Sequence, residues 1–121
     1  VSLTSSDRNT IRFLIESQLQ AFQHNDAEAS FSLASPSIQE QFGTPEVFLA
    51  MVKTAYPSVY RPRSVVFEDM TMVQGLPAQK VMLMSAEGEL VRAVYLMQQQ
   101  RDQTWRIHGC FLIPVGGKTM G

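Results

Sequence analysis

The feature that most constrains this chain is a single change of hydrophobic period. Up to about residue 56, apolar residues recur every three or four positions; beyond it they alternate or run continuously. A helical stripe and a strand pattern bury their apolar faces differently. A chain that switches once folds as helices laid on a hairpin-linked sheet, and not as repeated parallel β–α–β units. The helical half, 7–56, opens with Ile11, Leu14, Ile15, Leu19 and Phe22 on one stripe, and Ser5, Ser6 or Asp7 is the expected cap. His24-Asn25-Asp26 interrupts the stripe, and Asp26 is expected to cap a short helix from Ala27 to Ala34. Ser35-Pro36 and Thr44-Pro45 each place a capping hydroxyl before a proline, which needs no amide donor in the first turn. The first opens a short helix carrying Ile38 and Phe42, with Gly43 as its terminator. The second opens a helix with Val47, Phe48, Met51, Val52 and Ala55 on one side, stopped near Tyr56 by Pro57.

The sheet half, 63–114, predicts strands over Ser64–Val73, Gln79–Ser85, Leu90–Gln99 and Thr104–Ile113. Gly75-Leu76-Pro77, Glu87-Gly88 and Arg101-Asp102-Gln103 separate them, each short enough for a hairpin. The expected class is α+β: N-terminal helices packed on a curved four-stranded antiparallel sheet, one domain over 1–121 with a tail at 115–121. A length of 121 residues and a hydrophobic content of 45% suffice for one such core. On the last strand, strict alternation puts Trp105, Ile107, Gly109, Phe111 and Ile113 on one face and Arg106, His108, Cys110 and Leu112 on the other. Val81-Met82-Leu83-Met84 is apolar on both faces, yet the helices can cover only one. The uncovered face is therefore expected to pack against a second copy in a homodimer.

A formal net charge of −1 without a clustered basic excess argues against nucleic acid as a partner. No stretch approaches the length needed to span a bilayer, so no membrane partner is expected. One cysteine makes no internal disulfide and anchors no cysteine-based metal centre; no metal or cofactor is expected. The chain opens on valine and shows no signal-peptide pattern, which leaves location open, with the cytoplasm slightly favoured over the periplasm.

Two stretches, Phe22-Gln23-His24-Asn25-Asp26-Ala27-Glu28-Ala29 and Arg101-Asp102-Gln103-Thr104-Trp105-Arg106-Ile107, resemble the helix junction and the turn into the last strand of the nuclear transport factor 2-like superfamily, the cystatin-like α+β cones. From Ile11 to Pro114 the chain more closely resembles a bacterial family known as domain of unknown function 4864. That likeness rests on Gln18-Leu19-Gln20-Ala21-Phe22, Gln41-Phe42-Gly43, the segment from Ala55 through Tyr56-Pro57-Ser58-Val59-Tyr60-Arg61-Pro62-Arg63 to Ser64, and Trp105-Arg106-Ile107-His108-Gly109-Cys110. The resemblance implies a sheet curved around helices, often with a pocket inside, and frequent dimers. It implies no activity. The acid–base residues of the superfamily's isomerases and dehydratases have no counterpart at matching positions, so no catalytic residue is carried over.

His108 and Cys110, two apart on a strand, are expected on one face, where an imidazole can activate a thiol; a buried structural cysteine is the plainer reading. Arg61, Arg63 and Arg92 are candidates to converge on an anion, against structural roles clamping carbonyls or pairing with Glu68, Asp69 or Glu89. Tyr56, Tyr60 and Tyr95 are candidate pocket residues, Tyr95 foremost by position; the plainer reading is a buried ring with its hydroxyl hydrogen-bonded for the first two and a core tyrosine for Tyr95. His24 and Asp26 read as capping residues. The function expected is a non-catalytic small-molecule-binding or interaction module, dimeric through its sheet, with a small apolar or anionic ligand. The alternatives are a small-molecule isomerase, dehydratase or hydrolase using the cone, and an accessory subunit of a larger complex.

Overall fold

The structure, a computed structural model, describes residues 3–115. Helices α1 (Ser5–Gln23), α2 (Ala27–Ser32), α3 (Pro36–Phe42), α4 (Pro45–Ala55) and α5 (Pro57–Tyr60) precede strands β1 (Ser64–Val73), β2 (Leu76–Met84), β3 (Leu90–Gln99) and β4 (Trp105–Pro114). The strands form one four-stranded antiparallel sheet in the order β1-β2-β3-β4. The α+β class expected from the change of period is the one observed. Val115 donates its amide to the Leu90 carbonyl at 3.4 Å, and the rest of the expected tail lies outside the described residues.

The helix starts follow local capping chemistry. Thr4, and not Ser5, Ser6 or Asp7, caps α1: its Oγ1 accepts from the Asp7 amide at 3.0 Å, and Asp7 Oδ2 accepts from the Thr4 amide at 3.1 Å. The other Asp7 oxygen takes the Trp105 indole N–H at 3.3 Å, tying the start of α1 to β4. Asp26, Ser35 and Thr44 cap α2, α3 and α4 as expected, and Gly43 ends α3 at φ 82°. Helix α2 stops at Ser32, short of Ala34, because the next residues pair with the free edge of β4. Ile107 donates to the Leu33 carbonyl and Ser35 to the Ile107 carbonyl, both at 2.8 Å. Pro57 ends α4 and also opens α5, so the expected linker contains a helical turn.

Two strand expectations are corrected by pairing. β2 begins at Leu76, three residues before Gln79, because Gln74 (φ 52°) and Gly75 (φ 80°) form a two-residue left-handed turn that brings Leu76 opposite Val73. On β4 the strict alternation fails at His108. Leu96 pairs with Gly109 and Met97 with Ile107, leaving His108 as the extra residue of a bulge. After the bulge, Cys110 opposes Tyr95 and Leu112 opposes Ala93, so these two join Trp105 and Ile107 toward the helices. Phe111 and Ile113 are thrown outward and are each 40% exposed.

The core lies between α1, α4 and the inner face of the sheet, with Ile11, Ile15 and Phe22 packed on Val81, Leu83, Tyr95 and Met97. Phe48 of α4 gathers Phe22, Phe31 and Phe42 around it at centroid distances of 6.1, 5.7 and 5.6 Å. Phe22, Phe42 and Phe48 of this cluster also line the space between helices and sheet that forms the candidate site.

Candidate functional site

A cavity of about 200 Å³ lies between the helices and the inner face of β3 and β4. Phe22 of α1, Ile38 of α3 and Phe48 and Val52 of α4 wall it on one side, and Tyr95 and Ile107 on the other. An engineered apolar cavity of about 150 Å³ suffices to bind benzene, so this volume fits a guest of one or two rings. None of the residues lining it is charged; the polar ones are Gln18, Gln41, Tyr56, Tyr95 and Cys110.

Two of these side chains are committed to the protein. The Gln18 amide nitrogen donates to the Ser30 carbonyl at 3.0 Å, tying α1 to α2 beneath the cavity. The Tyr56 hydroxyl donates to the Cys110 carbonyl at 3.2 Å and joins the end of α4 to β4. Tyr95 differs. Its residue is 1% exposed, and its buried hydroxyl has no hydrogen-bond partner among the described residues. Burial first, and then the neighbouring Cys110, raises its ionisation well above the ordinary phenol range. Cys110 keeps some surface, but its thiol is enclosed, and burial pushes it up to about 12. Both groups therefore stay protonated at neutral pH. These walls offer a guest apolar contact and neutral hydrogen-bonding groups.

Of the sequence candidates, Tyr56, Tyr95 and Cys110 line the cavity and the others do not. The bulge separates His108 from Cys110 in role: His108 Nδ1 hydrogen-bonds the Ser35 hydroxyl at 2.8 Å, on the outside of the cavity wall. The three arginines do not converge. Arg92 grips Glu68 with two bonds of 2.7 and 3.2 Å on the outer face of the sheet, which lowers the Glu68 carboxyl below its ordinary range. Arg61 donates to the Gln23 carbonyl at 3.0 Å and lies 4.9 Å over the Tyr60 ring, while the Tyr60 hydroxyl donates to Asn25. Together they clamp the α1–α2 turn, where Asn25 holds a left-handed φ of 54°. Arg63 lies beside the β2–β3 turn, its Nη1 3.6 Å from where a side chain on Gly88 would begin.

Gln18 and Gln41 are the cavity polar residues that the sequence did not single out. Gln18 carried a readable signal: it stands seven residues after Ile11 and three after Ile15, on the apolar stripe of α1, and it is buried. Gln41 is exposed on α3; the Gln41-Phe42-Gly43 stretch carries the family likeness but attaches no role to the side chain. Among the described residues no three His, Cys, Asp or Glu side chains gather as a metal site requires. No helix there is long and apolar enough to cross a membrane.

The molecule is thus an α+β domain whose helices cover one face of an antiparallel sheet and border a partly open cavity with no charged residue in its lining. The family model described as Domain of unknown function (DUF4864) matches residues 4–120, and the chain belongs to that family. No curated protein and no solved structure matches it. The match takes in the Tyr56–Arg63 segment, whose Tyr60 and Arg61 hold the helix junction and whose Tyr56 and Val59 line the cavity.

Proposed function

We propose that this domain is a non-catalytic binding module for a small, neutral, mostly apolar molecule held in the cavity between helices and sheet. The observation that carries the reading is the cavity of about 200 Å³ with no charged residue in its lining. An ion entering such a space loses its hydration and gains no counter-charge, whereas an apolar guest gains contact at every wall. The placement in the nuclear transport factor 2-like superfamily belongs to the same proposal, supported by helices preceding a bulged antiparallel sheet and by a pocket between the two. In a thermal-shift panel of one- and two-ring fragments, neutral members raise Tm with concentration and their charged counterparts do not. A panel in which charged fragments stabilise the protein, or none does, contradicts the reading.

Self-association through the outer sheet face is a second part of the proposal. Val66, Met82, Arg92 and Ile113 form one row across that face, and Val66 is 57% exposed. Beside them Phe111 extends the apolar surface along β4, with the Arg92–Glu68 pair within it. A copy related by a twofold axis meets this patch with the same patch.

A further inference from the structure

We infer that the guest is a neutral ring compound presenting a carbonyl-type acceptor oxygen to the Tyr95 hydroxyl; this rests on the cavity being a binding site. Tyr95 stands on β3, an interior strand, opposite Cys110, with its ring fully buried in the cavity wall. The Tyr56 hydroxyl donates its hydrogen bond to the Cys110 carbonyl, and one N–H of the Gln18 amide donates to the Ser30 carbonyl. Tyr95 is left as the buried side-chain hydroxyl without a partner among the described residues. A phenol is a better donor than acceptor, so the group that completes it is an acceptor. A carboxylate would serve as an acceptor in water, but here it would sit in a lining without a cation. A ketone, aldehyde or amide oxygen supplies the lone pairs without the charge. The hydroxyl is covered by its neighbours, so contact requires the wall to give way slightly, and Met51 and the Cys110 thiol are its adaptable members.

Three probes of nearly equal size separate the possibilities: acetophenone carries the acceptor, isopropylbenzene replaces it with a methyl group, and benzoate adds a charge. By calorimetric or NMR titration, the wild-type chain binds acetophenone about tenfold more tightly than isopropylbenzene and shows no saturable binding of benzoate. Tyr95→Phe, checked for folding by its thermal transition, abolishes that preference or reverses it, because the carbonyl is then buried without a donor. On the wild type alone, the infrared carbonyl stretch of bound acetophenone falls below its value in an apolar solvent. Equal affinities in the wild type, a preference that survives Tyr95→Phe, or an unshifted carbonyl band overturns the inference while leaving the binding site standing. Failure of both neutral probes to bind overturns the binding site with it.

Discussion

Replacing Tyr95 by phenylalanine removes one oxygen and leaves the ring in its place, so it isolates what the buried hydroxyl does. A buried donor without an acceptor carries a desolvation penalty of roughly 1–3 kcal/mol. The variant is therefore expected to be more stable than the wild type, by about 1 kcal/mol in urea unfolding, even as it loses its preference for an acceptor-bearing guest. A loss of stability would mean that the hydroxyl has a partner in the protein. Cys110 makes a prediction in pH. Its thiol is raised from an ordinary value of 9.0 to about 12, so the folded chain keeps a proton that the unfolded chain releases. The stability linked to this group is fully present below the unfolded value and is lost as pH rises through the folded one. The stability of the wild type relative to Cys110→Ala should thus fall between pH 9.0 and about 12, with a slope of up to about 1.4 kcal/mol per pH unit. A constant difference across that window would show that the thiol is not enclosed.

Among the elements, what was legible in the sequence followed from chemistry confined to a few neighbouring residues. Ser35-Pro36 and Thr44-Pro45 announce α3 and α4 because a hydroxyl and a proline settle a helix start without help from the rest of the fold. The bulge at His108 and the early start of β2 were not legible, because both are settled by the partner strand: Met97 and Leu96 fix one, Val73 and Met72 the other. The same pairing relocated the candidate site. Strict alternation sends Cys110 away from Ile107, and one extra residue returns it to the cavity opposite Tyr95. Ser35 is the hinge between the two kinds of information. Its hydroxyl caps α3 at the Ile38 amide (3.4 Å) and bonds the bulged His108 (2.8 Å). Ser35→Ala is expected to lower stability by about 1–2 kcal/mol, more than loss of an exposed cap alone, as read by chemical denaturation. A change within a few tenths of a kcal/mol would show that the Ser35–His108 side-chain bond does not hold α3 to β4.

At the scale of the whole molecule, the change of hydrophobic period gave the layering, since one switch from helical to strand pattern admits few packings of a chain this short. The cavity was outside its reach. A space between layers depends on how the helices pack over β3 and β4, which no local pattern encodes. The apolar character of both faces of β2 was legible, and it bears on the proposed dimer. Val81 and Leu83 are buried against the helices, while Met82 and Met84 lie half-buried on the outer face. Sedimentation at micromolar concentration is expected to give a dimer for the wild type and a monomer for Phe111→Arg, with the fold of the variant intact by circular dichroism. A wild-type monomer would end the dimer proposal and leave the cavity untouched. The central claim is that the cavity binds a small neutral molecule, and methionine methyl NMR tests it most directly. Met51 lines the cavity, Met72 is exposed at the sheet edge, and Met82 and Met84 face outward. Titrating acetophenone should shift the Met51 methyl signal saturably and leave Met72, Met82 and Met84 in place. A silent Met51, or shifts confined to the outward-facing methionines, would contradict it.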